Sequence, residues 1–180
     1  VQTVAEKFKK DKFVYLGNAI NPKQASELSN LLIKAHEQGH SKKDTQCPES
    51  DSFYNFPALT TVLHRLAEPL SHALETELKP TYVYARLYRP GQELKPHIDR
   101  KECEISATMT LGHAEDSDIW PIYMGKDKTD TVGTPITIDV GGMVLYHGCD
   151  LRHWRTAYRG EWQTQVFFHY IKKGGVHDVE

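Results

Sequence analysis

Two kinds of hydrophobic spacing divide the chain. From Pro57 to Leu78 the apolar positions Leu59, Val62, Leu63, Leu66, Leu70, Leu74 and Leu78 follow the three-and-four spacing of a helix with one buried face. Pro69 falls inside this run and predicts a kink or a break into two helices, since its ring removes a backbone donor. Upstream, Phe13 to Gly17 reads as a short strand. Asn21-Pro22 then supplies an N-cap and an N1 proline for an amphipathic helix reaching Lys34 to Gln38. Beyond Pro80 the period drops to two, with Tyr82, Tyr84, Arg86 and Tyr88 on one face and Val83, Ala85 and Leu87 on the other. Further strands are expected at Ile105 to Leu111, Ile119 to Met124, Pro135 to Asp139, Met143 to Tyr146, Leu151 to Thr156 and Gln163 to Ile171. Turns such as Arg89-Pro90-Gly91, Gly141-Gly142 and Arg159-Gly160 separate them.

Helices followed by a series of short strands predict an α+β, mainly β fold. The expected form is a double-sheet jelly roll, or double-stranded β-helix, backed by N-terminal helices. On this reading the 180 residues make one domain, with a helical part to residue 79, a β core over 80–171 and a polar, mobile tail at 172–180. Residues 39–56 are polar and turn-rich, and read as a loop able to border a site. A formal charge of −2, with Lys and Arg scattered, leaves no electrostatic footprint for nucleic acid, which is not an expected partner. Cys47, Cys103 and Cys149 are odd in number and widely spaced, so they fit neither a disulfide framework nor a zinc knuckle. They suit a reducing, cytoplasmic setting. No apolar run is long enough to span a membrane, and no membrane partner is expected. Nothing in the pattern specifies an oligomeric state.

Against this background one stretch stands apart, Lys95-Pro96-His97-Ile98-Asp99. On an extended strand His97 and Asp99 leave from the same face. A second imidazole from a distant strand would complete a set of two histidines and one carboxylate, which holds one face of an octahedral ion and leaves three positions open, as in non-haem Fe(II) oxygenases. His153 is the best candidate, because it follows the Gly141-Gly142 turn and an apolar strand. His147 is the reserve. His113 and His169 rank lower, and His36, His40, His64 and His72 read as ordinary polar or satisfied histidines. Trp120, Trp154 and Trp162 read as packing residues.

The segment from Tyr88 to Asp99, Tyr-Arg-Pro-Gly-Gln-Glu-Leu-Lys-Pro-His-Ile-Asp, resembles the Y-x-x-G…H-x-D segment of the 2-oxoglutarate- and Fe(II)-dependent dioxygenases. The likeness is to the prolyl-4-hydroxylase-like branch, whose Gly-rich turn also resembles Asp139 to His147. It covers residues 80 to 171. It implies that His97, Asp99 and His153 are catalytic iron ligands, that 2-oxoglutarate is co-substrate with O2, and that Tyr88 reaches towards the co-substrate. It further implies hydroxyl donors from an inward strand, for which Thr108 and Thr110 beside Ser106 are the candidates. In that branch a Lys or Arg opening the last core strand anchors the distal carboxylate of 2-oxoglutarate. Here Gly160-Glu161-Trp162-Gln163 carries no base. Arg155, inward with His153 by parity, and Arg159, nearer the usual place, are the substitutes considered, since Arg matches a carboxylate bidentately. Gln165 is a further co-substrate candidate, and Arg86, Tyr84 and Gln163 are candidates for the substrate. The resemblance implies hydroxylation of a C–H bond in a prolyl or other peptidyl side chain. A free amino acid or small metabolite is the alternative substrate, and a non-catalytic cupin-like metal-binding or interaction domain is the alternative class.

Overall fold

The computed structural model describes residues 1–115 and 117–179. Three helices come first: α1 (Val4–Asp11), α2 (Pro22–Glu37) and α3 (Pro57–Leu74), with β1 (Phe13–Leu16) and β2 (Asp51–Tyr54) between them. The remaining strands are β3 (Leu78–Tyr88), β4 (Leu94–His97), β5 (Ile105–His113), β6 (Ile122–Met124), β7 (Thr134–Ile136), β8 (Met143–Tyr146), β9 (His153–Arg155) and β10 (Gln163–Lys172). They form two antiparallel sheets, a large one in the order β1-β8-β5-β10-β3-β2 and a small one in the order β4-β9-β6-β7. The expected α+β architecture, richer in strand than in helix, is therefore observed.

The large sheet has two buried faces of opposite chemistry. Val83, Ala85, Leu87, Ala107, Met109, Val166 and Phe168 share a core with Leu32, Leu59, Leu63 and Leu70 of α2 and α3. That burial of apolar area holds the helices to the sheet. The opposite parity turns inward between the sheets. Register sets Gln163 against Tyr88, Gln165 against Arg86 and Thr110, Phe167 against Tyr84 and Thr108, and His169 against Tyr82 and Ser106. Since residues directly opposite share a face, these polar side chains converge on one interior.

Several local expectations change. Helix α3 runs through Pro69 without a break and ends at Glu75, which adopts a left-handed conformation at φ 52°. Pro69 is exposed, so the carbonyl that its missing donor frees can be hydrated. Helix α1, which is not among the elements expected from the sequence, carries Lys7, Lys9 and Lys10 and starts at a capping box of Thr3 and Glu6. The second half of the expected 39–56 loop becomes edge strand β2. The strands expected from Ile119 and Leu151 are shorter, starting at Ile122 and His153. The tail does not hang free: Lys79 pairs with Asp178 at 2.9 Å and the Gly174 amide donates to the same carboxylate. Glu180 lies outside the described residues. No helix is long and apolar enough to cross a membrane, among the described residues.

Candidate metal centre

The site is built where the two sheets face each other. His97 closes β4 and His153 opens β9, and these two residues are direct cross-strand partners. Asp99 lies just past the end of β4, held by its amide donating to the Gly148 carbonyl at 2.8 Å. A Cβ on Gly148 would collide with the Asp99 carboxylate and the Cys103 carbonyl, so glycine is required for this close approach. Asp99 Oδ1 stands 3.3 Å from His97 Nε2 and 3.3 Å from His153 Nε2. The three donors lie within 4.8 Å of one another.

Protonation favours ligation. His97 Nδ1 donates to the Lys95 carbonyl at 2.7 Å, and His153 Nδ1 donates to the Leu151 carbonyl at 2.8 Å. A carbonyl only accepts, so each Nδ1 carries the proton and each Nε2 is left to face Asp99, the outer-shell arrangement that orients metal-bound imidazoles. Burial by itself would raise the Asp99 carboxyl, yet the two adjacent imidazoles, His153 foremost, hold it well below the usual carboxylate range. Burial would lower His153, and the Asp99 charge raises it instead. Asp99 Oδ2 is buried without a partner. A charged carboxylate between two imidazoles with a spare oxygen is a donor set that fits a divalent ion.

A cavity of about 460 Å³ opens onto these residues. Its walls include Tyr82, Tyr84, Arg86, Tyr146 and Phe167. Arg86 donates from Nη1 to Ser50 at 3.0 Å and from Nη2 to the Gln46 side chain at 2.7 Å, and pairs with Asp44 at 2.8 Å. Tyr84 donates to the same Asp44 carboxylate. The first half of the 39–56 loop is thereby pinned across the cavity.

Arg155 presents the opposite case. It is 2% exposed, and its Nη1 donates to the Trp120 carbonyl at 2.8 Å, while Nε and Nη2 have no partner among the described residues. No carboxylate lies within ion-pair range of it, among the described residues. Burial pushes its guanidinium down only to about 10, so it stays charged at neutral pH. The neighbouring Tyr88 hydroxyl is also buried and unpartnered, and burial pushes it up to about 12. Nε and Nη2 are the guanidinium edge that grips a carboxylate side-on.

The other sequence candidates are placed as follows. Gln165 accepts from Thr110 at 3.0 Å and from Gln163 at 3.1 Å, and donates to Thr108 at 2.8 Å, so these four form one internal network. Arg159 is exposed on the outer surface near Trp120 and Pro121, away from the triad. His147, the reserve ligand, stacks on Phe8 outside the cluster. His169, a low-ranked ligand candidate by its place late in the last strand, lines the cavity with Cys103 beside Asp99. Its shared parity with Gln165 and Phe167 was the available signal.

With this geometry in place, comparison with solved structures decides the fold. A prolyl-4-hydroxylase from Pseudomonas putida superposes with a TM-score of 0.76 over 94% of this chain and 97% of its own, at 13% identity. The fold is that of the 2-oxoglutarate and Fe(II) oxygenases. SnoN, a non-haem α-ketoglutarate-dependent epimerase from nogalamycin biosynthesis, gives a TM-score of 0.75 at 12% identity, covering 94% of this chain and 81% of its own. A Trichoplax adhaerens prolyl hydroxylase, solved with a hypoxia-inducible factor peptide fragment, gives 0.71 at 11% identity, covering 96% and 89%. No family sequence model matches the chain, and neither does any curated protein. At these identities the oxygenase likeness is one of fold, and the fold hosts hydroxylation and epimerisation alike.

Proposed function

We propose that this chain is an Fe(II)- and 2-oxoglutarate-dependent oxygenase that hydroxylates a C–H bond. His97, Asp99 and His153 would hold the iron, and Arg155 with Tyr88 would hold the distal carboxylate of 2-oxoglutarate. The observation that carries this reading is the pairing of the histidine–aspartate cluster with a buried guanidinium whose Nε and Nη2 are unpartnered. An uncompensated charge in a protein interior is costly, and a ligand carboxylate would supply both the counter-charge and the two missing bonds. Gln163 stands where the related branch carries its base, and Arg155 on β9 would supply the charge that Gln163 lacks. When bound, iron activates O2 at the expense of 2-oxoglutarate, which leaves as succinate and CO2. The chain's own part is to orient the two imidazoles, keep Asp99 ionised and roof the cavity with the Asp44–Ser50 loop.

The pinned loop favours a free amino acid or small metabolite, because Asp44 and Gln46 narrow the approach. A peptidyl side chain, proline included, is the second reading. It is favoured by the aromatic mouth, where Tyr54 is 66% exposed and stands 5.5 Å from Tyr82, ring to ring. The decisive measurement is succinate release from 2-oxoglutarate with and without Fe(II), across free amino acids and proline-containing peptides. Iron-dependent release is expected, fastest with a compact substrate. No turnover together with no metal affinity would sink the oxygenase reading in favour of a non-catalytic domain.

A further inference from the structure

A second group of donors shares Asp99 with the two triad histidines. One donor atom each from Asp99, Cys103 and His169 lies within 4.8 Å of the others. Cys103 and His169 are 3% and 5% exposed, and both border the cavity. Buried cysteine and histidine are common packing residues. Three observations distinguish this pair from packing.

The first concerns His169. Its Nδ1 bonds Ser106 Oγ at 2.8 Å, and Ser106 Oγ donates to the Cys103 carbonyl at 3.1 Å. Ser106 has one proton, and giving it to that carbonyl leaves Oγ to accept from His169 Nδ1. His169 Nε2 then carries the lone pair, as in the two triad histidines. The second concerns the sulfur. Arg100 donates to the Tyr82 hydroxyl at 3.0 Å, and the same hydroxyl is hydrogen-bonded to Cys103 Sγ at 3.1 Å, so its proton is placed to be given to the sulfur once that is a thiolate. Burial and the Asp99 charge push the Cys103 thiol up to about 12, against which the Tyr82 hydroxyl and Arg100 work, so the thiolate there forms with an ion bound rather than free. The third is Asp99 itself, whose Oδ1 faces both triad histidines while its Oδ2 has no partner. Each of the other two donors is thus oriented by a partner of its own, the arrangement found behind metal ligands.

We propose that Asp99, Cys103 and His169 form a second cation site that takes a thiophilic divalent ion, Zn2+ foremost, and that its occupancy opposes iron loading. One sulfur, one imidazole nitrogen and one carboxylate oxygen match the borderline-soft preference of Zn2+ and leave the cavity side for a water. Coordination exchanges the Cys103 thiol proton for the ion, and the proton leaves through the cavity. The inference shares only Asp99 with the iron reading. Through that carboxylate an ion held at Cys103 draws charge away from the triad.

The test uses the whole apo-protein, reduced and anaerobic, titrated with Co2+ and followed in the near ultraviolet. A saturable thiolate-to-cobalt charge-transfer band is expected. It persists in Cys149→Ser, Cys47→Ser and His97→Ala and is lost in Cys103→Ser. His169→Gln weakens Co2+ at this band by about tenfold or more, with native circular dichroism, and decides the matter if Cys103→Ser does not fold. Absence of the band in the wild type, or its survival in Cys103→Ser, overturns the proposal. In turnover assays Zn2+ added over Fe(II) inhibits Cys103→Ser about tenfold less strongly than wild type. The band needs neither iron nor 2-oxoglutarate. Its absence leaves the iron assignment standing, and an inactive protein with an intact band removes the iron assignment alone.

Discussion

Two arginines are buried to the same degree in one interior and live under opposite conditions. Arg86 and Arg155 are each 2% exposed. Arg86 is saturated by the chain itself, through Asp44, Ser50 and Gln46. Among the described residues Arg155 has one bond, to a carbonyl, and rests its guanidinium 4.7 Å from the centre of the Trp120 ring. Burial alone therefore does not mark a binding group. A buried charge with its counter-charge built in is a structural device, here one that closes a loop. A buried charge with an open, correctly shaped edge is stabilised only when something else arrives.

The largest expected effect lies at Arg155. On the proposed binding mode Arg155→Met removes two charge-assisted bonds to the 2-oxoglutarate carboxylate and raises the KM for 2-oxoglutarate by about 100-fold. The same variant melts no lower than wild type, because it deletes an unpaired buried charge. A lower Tm with unchanged KM would show Arg155 to be structural. Arg86→Met should do the reverse. It leaves Asp44 without its partner and costs about 2 kcal/mol, less than for a fully buried pair because Asp44 is 25% exposed. At this chain length that is a fall of about 4–8 °C in Tm, read by thermal denaturation. Tyr88→Phe, which would lose the one bond proposed to the same carboxylate, lowers 2-oxoglutarate affinity by about tenfold, measurable by calorimetry.

The smallest effect is one of pH at the paired arginine. Burial would raise Asp44, but the Tyr84 hydroxyl, the Cys47 amide and Arg86 outweigh it and hold the carboxyl below its ordinary value. A depressed folded pKa contributes stability above the unfolded value and loses it as pH falls through the folded one. The stability gap between wild type and Asp44→Asn is therefore flat from neutrality down to about pH 4 and shrinks below it. A gap that already closes near pH 6 would contradict the ion pair, and urea denaturation across that range measures it.

Much of the fold was legible because its periods are local. The three-and-four spacing of Leu59 to Leu74 and the alternation of Tyr82 to Tyr88 each encode a face without reference to the rest of the chain. Strand β8 falls where the apolar run Met143 to Tyr146 put it. At Pro69 the helix does not break, since the effect of a proline depends on whether the freed carbonyl meets water, and exposure is not a local property. The candidate metal set was legible for a similar reason: His97 and Asp99 are two residues apart, and His153 follows a Gly turn and an apolar strand.

What the chain could not disclose by itself is which polar groups find partners. His-x-Asp, the Gly141-Gly142 turn and the absence of a base near Gln163 are facts of sequence, and they determined the fold class and the donor types. That Arg86 is answered by Asp44, forty-two residues earlier, while Arg155 is answered by nothing charged among the described residues, is decided only when β2, β3 and β9 are brought around one interior. The same assembly sets Cys103 and His169 beside Asp99, sixty-six residues of chain apart from each other. Periodicity records a residue's own environment, whereas hydrogen bonding and ion pairing record a second residue's position. That second position exists only in the folded molecule.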